Sequence, residues 1–274
     1  MMDISTPFGV LMGIVCLILA FTLDGGHIVS LFSVTAALIV FGGTIGATAA
    51  SYSMKEVLSF PKLMPQVIKK EPENATQEII DYFIRLSTKA RVNGLLSLEK
   101  ETTSQEIKNY DPLMKECLEM AVDGTEAEVF RQMIENKIEI NYRIKKKNAG
   151  IFITAGGYAP TMGIIGTVMG LIHVLSNLSD PDKLGSAVAL AFVATLYGVA
   201  SANLFWLPIG QKLQATAMRE KIAQQLILEG AMSIQVGENP LILDRKLRVF
   251  LLTQMEEEKK ETLVEKRNIM KQLD

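Results

Sequence analysis

Cysteine occurs only twice in the 274 residues, histidine twice and tryptophan once. Cys16 lies in an apolar run and Cys117 in a charged region, so they build no extracellular disulfide framework and read as free thiols. His27 and His173 stand alone, without the Cys/His clustering of a metal site. There is no Walker A loop, no dinucleotide fingerprint and no HExxH pair. The sequence therefore offers no catalytic residue, no metal site and no bound cofactor. A further absence is positional. Lys, Arg, Asp and Glu are missing from 4–23, 25–54, 148–179 and 184–211. Each gap holds a helix of ~20 apolar residues, the length that crosses a bilayer's ~30 Å core. A soluble enzyme, a secreted disulfide scaffold and a nucleic-acid binder are excluded.

What remains is an all-α polytopic membrane protein with four transmembrane helices and a helical cytoplasmic domain. Residues 1–50 form a first transmembrane hairpin, with spans near 5–23 and 28–50. Residues 51–148 form a cytoplasmic helical region. Residues 149–208 form a second hairpin, with spans near 149–177 and 184–208, and 209–274 is a cytoplasmic helical tail. Met1–Phe8 carries no basic residue and no small-x-small cleavage site ends the first run, so it is not expected to be a signal peptide. Of the 28 Lys and Arg residues, 16 lie in 51–148, 11 follow residue 208, and only Lys183 is elsewhere. Positive charge marks the cytoplasmic side. Both termini are then expected in the cytoplasm of a multi-pass protein of the cell (plasma or inner) membrane.

Between the hairpins, Pro61, Pro65 and Pro72 interrupt the chain. Ile79, Ile80, Phe83, Ile84 and Leu86 then mark an apolar helical face, followed by Leu95, Leu96 and Leu98. Asp123-Gly124 is a turn. Thr125 with Glu128 has the spacing of a capping box opening a new helix. That helix is expected to run through Arg143–Lys147 into the third span. In the tail, Gly237–Pro240 is a break. In span two, Gly42, Gly46 and Ala50 form a stripe that suits close helix packing.

The spans lack ionisable side chains well inside the bilayer, where transporters and pumps place them. If an ion crosses, its titrating carboxylate must come from another polypeptide. Pro160 sits within span three. It cannot donate to the carbonyl of Gly156, and two readings stay open: a passive kink, since proline is tolerated in membrane helices, or a freed carbonyl and hinge lining a cavity. Gly163, Gly166 and Gly170 follow it. Ala187, Ala191, Ala194, Gly198 and Ala202 lie close to one face of span four. Such small-residue faces suit a closely packed partner helix. Thr167 lies 10 residues from Asn177, and Thr195 lies 11 from Leu184. At 1.5 Å per residue both sit about 15–16 Å below the outer ends of their spans. The spans run in opposite directions, so the two hydroxyls fall at one level. Oxygen ligands of this kind suit a hard cation.

Four stretches resemble one family in order along nearly the whole chain. They are Ala90-Arg91-Val92-Asn93-Gly94-Leu95-Leu96-Ser97-Leu98-Glu99, Met120–Gly124, Tyr158–Gly170 with its Pro160, and Ala191-Phe-Val-Ala-Thr-Leu-Tyr-Gly198. The family is that of the flagellar motor stator protein MotA, within the MotA/TolQ/ExbB proton-channel superfamily. The resemblance implies a homo-oligomer, a pentamer, around a dimer of MotB whose membrane helix supplies the titrating aspartate. It implies that the cytoplasmic domain pushes the rotor protein FliG, with Arg91 and Glu99 as the rotor-contacting charges. Placed on one helix, the two would be ~12 Å apart along the axis, too far to pair with each other. Pro160, Thr167 and Thr195 match ion-path positions. Family members that use protons often carry alanine where Thr167 stands, and sodium users tend to carry threonine. The ion is thus H⁺ or Na⁺, with local chemistry leaning to Na⁺. Two other readings stay open. One is an ExbB/TolQ-like energy-transducing subunit, usually of three spans. The other is a non-conducting scaffold for the cytoplasmic domain.

Overall fold

The computed structural model describes residues 5–58, 60–68, 75–176 and 181–251, with the side chains of 75, 181–184, 186, 187 and 190 outside that description. The described residues are mostly helical, joined by short turns, with no strand among them. Among the described residues, four helical stretches are long and apolar enough to cross a membrane: Ser5–Leu23, Ile28–Ser51, Ala127–Ser176 and Ala191–Gln235. The chain forms two compact units, one from 1–70 and 144–216, the other from 71–143 and 217–274.

The membrane unit begins with α1 (Ser5–Leu23), which buries none of its residues within the chain. It touches the rest through Gly13, where a Cβ would come within 2.7 Å of Leu204. Lys212 Nζ also donates to Thr6 Oγ1 at 2.7 Å. Span two is not one regular helix. A 3-10 turn over Ile28–Leu31 is followed by extended backbone at Phe32 and Ser33. The span then runs as α2 (Val34–Ala37), a wider π-type turn over Leu38–Gly42 and α3 (Gly43–Ser51). Ser33 caps this stretch, its Oγ accepting from the Ala36 N–H at 3.1 Å. The Gly42/Gly46/Ala50 stripe does not make the close contact expected of it. A Cβ on Gly42 or Gly46 would meet nothing within 4 Å, while one on Gly43 would come within 2.7 Å of Met162. The wide turn changes the helical phase here, which shifts the packed face by one residue.

After α4 (Met54–Val57), helix α5 (Phe60–Ile68) buries Leu63 and Val67 and exposes its polar side. Phe60 packs on Phe152 and edge-on to Trp206, with centroids 4.1 and 5.5 Å apart. Ala149, Ala155, Ala159, Ala202 and Ile209 complete this cluster. Where span two ends and span three begins, Lys147 pairs with Glu56 at 2.5 Å. That pairing, with the Ser53 N–H, holds the Glu56 carboxyl below its ordinary range.

The second unit contains α6 (Ala75–Asn93), α7 (Glu99–Thr102), α8 (Pro112–Val122), the first part of α9 (Ala127–Ser176), and the later part of α11 (Leu207–Gln235). A final helical stretch covers 240–251. Helix α10 (Pro181–Ser201), which follows α9 and precedes α11 in the chain, belongs to the membrane unit. Ile80, Phe83, Leu118, Phe130, Ile134 and Leu226 are the center of the second unit's core. Gly230 lets Phe83 lie against α11, since a Cβ there would be 2.7 Å from the ring. Burying the whole unit pushes the Cys117 thiol and the Tyr82 phenol up to about 12, by desolvation. Gly124, at φ +69°, makes the turn after α8. Helix α9 opens one residue later than Thr125 predicts: the Phe130 N–H bonds the Glu126 carbonyl, so Glu126 is the cap. It then continues unbroken to Ser176.

Candidate functional site: the hairpin of small residues and the Arg91–Glu99 turn

Helices α9 and α10 approach through their small residues. A Cβ on Gly163 would lie 2.9 Å from the Ala194 carbonyl oxygen, and one on Gly198 would lie 2.5 Å from that of Ala159. Gly166 faces the Ala194 methyl and Gly170 faces Ala191 in the same way, at 2.6 and 2.7 Å. Ala191 and Ala194 are buried. The sequence suggests these faces for a partner's helix. In the structure Gly163, Gly166, Gly170, Ala191, Ala194 and Gly198 take each other as partners, within one chain. Ala187 lies on α10, but its side chain is outside the described residues. Glycine and alanine do this because only they let two helix backbones come so close.

That approach brings the two threonines together. The Thr167 and Thr195 hydroxyls hydrogen-bond directly to each other. Thr167 Oγ1 also lies 3.1 Å from the carbonyl of Gly163, one turn back, and 3.1 Å from the carbonyl of Ala191 across the interface. A hydroxyl has one proton to donate. Thr167 can thus bond one carbonyl at a time, leaving other oxygens with spare lone pairs. The result is a cluster of two hydroxyls and two carbonyls, half-buried, in a stretch of chain with no charged side chain. Oxygen-rich and neutral, it fits a dehydrated monovalent cation or a short hydrogen-bonded chain. Pro160 lies two turns before Thr167 on α9. Helix α9 persists through it, so the proline removes one backbone bond without ending the helix.

Three further contacts were not legible from side-chain patterns. Ser51 and Tyr158 share a hydrogen bond at 2.8 Å, and Tyr52 and Thr154 another at 3.0 Å, joining span two to span three. Tyr197 reaches the backbone at the start of span two. Its hydroxyl donates to the Leu31 carbonyl at 2.5 Å and accepts from the Ser33 N–H at 3.3 Å. A backbone partner has no residue code, so only the break at Phe32–Ser33 could have signalled it.

In the second unit, Arg91 and Glu99 do not share one helix. Helix α6 ends at Asn93, and Gly94 adopts φ +82°, where glycine alone is unstrained. A 3-10 turn over Leu95–Leu98 leads to α7. The axial spacing computed for a continuous helix does not apply. Leu98 is fully buried and anchors the turn, and the Ser97 hydroxyl donates to the Gly94 carbonyl at 2.6 Å. Arg91 and Glu99 are both exposed, and neither forms an ion pair among the described residues. Their neighbours differ: Lys89 is tied to Glu101 at 2.6 Å and Arg85 to Glu106. Val92 and Leu96 stand between the two free charges, 77% and 73% exposed. The turn therefore presents two opposite charges, unpaired among the described residues, with an apolar centre, a surface suited to another protein.

Comparison with known proteins places these features. A sequence model of the MotA/TolQ/ExbB proton channel family matches residues 105–225, and one for the N-terminal region of motility protein A matches 7–94. Motility protein A of Bacillus subtilis is 33% identical over 250 residues, 91% of each chain. The structure of Campylobacter jejuni (C. jejuni) MotAB contains a chain that superposes with a TM-score of 0.83 at 31% identity, covering 91% of this chain and 96% of that one. The flagellar MotAB stator complex of B. subtilis gives a TM-score of 0.82 at 32% identity, covering 90% and 95%. Four apolar spans, a small-residue hairpin holding two threonines, and relatives of matching length together lead to one statement: this chain belongs to the motility protein A family of the MotA/TolQ/ExbB channel proteins.

Proposed function

We propose that this chain is a stator subunit of a bacterial flagellar motor, coupling inward cation flow to torque. The observation that carries this is the contact between Thr167 and Thr195 in spans devoid of carboxylates. An oxygen cluster with no titrating group is half of an ion path. The other half, a carboxylate, would come from a membrane helix of a MotB dimer, as the assemblies named MotAB suggest. A pentamer of this chain would surround that dimer, with both termini cytoplasmic. The cation is Na⁺ on local chemistry, because it exchanges its water for oxygen ligands, whereas H⁺ needs only an acceptor. Arg91 and Glu99 would engage FliG on the rotor. An ExbB/TolQ-like role is disfavoured by the two N-terminal spans and the N-terminal motility match.

The test is swimming speed in graded Na⁺ at fixed membrane potential, with the partner co-expressed. Speed rising and saturating with Na⁺ is expected. Equal speed without Na⁺ would make the motor proton-driven. Absence of any flux in the assembled complex would leave a scaffold.

A further inference from the structure

We propose that Tyr197 is a positioning residue that holds Thr195 in register with Thr167, and so sets the selectivity of the ion path. The inference rests on the reading of that threonine pair as part of the path. Span two is broken at Phe32–Ser33, where the backbone is extended. The Leu31 carbonyl and the Ser33 N–H therefore have no helical partner. In a membrane such groups must be satisfied by protein. One hydroxyl does both jobs: Tyr197 donates to Leu31 at 2.5 Å and accepts from Ser33 at 3.3 Å. Its ring lies 6.1 Å from that of Phe41, and it packs on the cluster of Ala36, Val40, Val193 and Ala194.

The placement matters because of helical phase. Tyr197 is two residues past Thr195, about 200° around α10. With Tyr197 fixed on span two, Thr195 is turned to the opposite side, toward α9 and Thr167. The small residues that let α9 and α10 touch have no bulk to resist sliding or rotation. The latch supplies that resistance from the other side of the helix. It also fixes height. Pro181, the start of α10, is 16 residues from Tyr197, about 24 Å along the helix. The start of span two is thus pinned beside the last two turns of α10, near the threonines, and not beside its first turns.

Tyr197→Phe keeps the ring and removes the hydroxyl. The register can be read directly from the rate of disulfide formation in a chain carrying Thr167→Cys, Thr195→Cys and Cys16→Ser. With the partner co-expressed, the expected result of adding Tyr197→Phe is unchanged membrane abundance and a several-fold slower disulfide. In the cysteine-free site, Tyr197→Phe should shift the cation concentration for half-maximal flux by several-fold, with a smaller change in maximal flux. An unchanged disulfide rate would overturn the latch. Loss of the variant from the membrane would also overturn it, since the hydroxyl would then hold the fold and not the register. Thr195→Ala, measured alongside, separates the two ideas. If it leaves the half-maximal concentration unmoved, the ion-path reading fails, while the disulfide rate still decides the latch.

Discussion

Thr167 has three oxygen partners, one hydroxyl and two carbonyls, from both helices of the hairpin. Thr167→Ala removes a ligand without adding bulk. Leaving a cation one ligand short costs about 1–3 kcal/mol, as for an unmatched buried polar partner, or roughly 5- to 150-fold in affinity. If Na⁺ is carried, the Na⁺ concentration for half-maximal speed should rise within that range, at unchanged stator number. No change would make the pair a structural hydrogen bond. A different residue-scale effect belongs to Glu139. Hydrogen bonds from Lys221 and then Arg143, both at 2.8 Å, hold its carboxyl at about 2, below its ordinary 4.5. A carboxyl depressed by folding contributes stability above its unfolded value, and that contribution fades as pH falls from about 4.5 toward 2. Lys221→Gln removes the larger cause. The acid-unfolding midpoint of the detergent-purified protein, followed by circular dichroism, should then move to higher pH. An unmoved midpoint would mean the pair is not coupled to folding.

Elements differ in how much of them a sequence can display. The four spans are legible from their missing charges, and the unbroken run of α9 from Arg143–Lys147 into the membrane follows from continuous helical periodicity. The close approach of α9 and α10 was visible as small residues, but not the identity of the partner: glycine states that something comes near, not what. Span two misleads for a related reason. Its Gly42 and Gly46 match a packing pattern at four-residue spacing, and the wide turn over Leu38–Gly42 moves Gly43 into the contact instead. The Arg91–Glu99 turn reads as helix until Gly94 is given its positive φ. These points yield a paired prediction. Gly198→Ala places a methyl 2.5 Å from a backbone oxygen that cannot move aside, so the hairpin must part. Gly42→Ala meets open space within the chain and improves helix propensity by ~1 kcal/mol. Thermal aggregation temperatures of the purified complex should fall for Gly198→Ala and hold for Gly42→Ala. Equal effects would mean that the α9–α10 approach contributes little to stability. Pro160→Ala, which restores a donor to the Gly156 carbonyl, should leave assembly intact and lower speed. Wild-type speed would mark that proline as a passive feature.

At the scale of the whole molecule, the proposed function assigns ion handling and force transmission to different units of one chain, each incomplete alone. The second unit offers Arg91 and Glu99, exposed and without an ion pair among the described residues. Exposed ion pairs contribute only ~0.2–1 kcal/mol each, so torque through this turn needs several such contacts acting in turn. Arg91→Glu should sharply reduce torque while insertion and partner binding persist. Normal motility of the Arg91→Glu, Glu99→Lys double variant would sink the rotor assignment. The membrane unit is incomplete in another sense. Within its spans there are hydroxyls, carbonyls and glycines, but no Asp, Glu, Lys or Arg well inside the bilayer. An ion drawn into a low-dielectric path needs a countercharge, because neutral oxygens alone do not offset the loss of its hydration. The purified chain, reconstituted without a partner, should therefore conduct neither Na⁺ nor H⁺ above the level of empty vesicles. Adding a partner whose membrane helix carries one carboxylate should open the flux, and the same partner with that carboxylate changed to its amide should not. Conduction by this chain alone would mean that the threonine cluster suffices as a site, and the division of labour between two polypeptides would have to be abandoned.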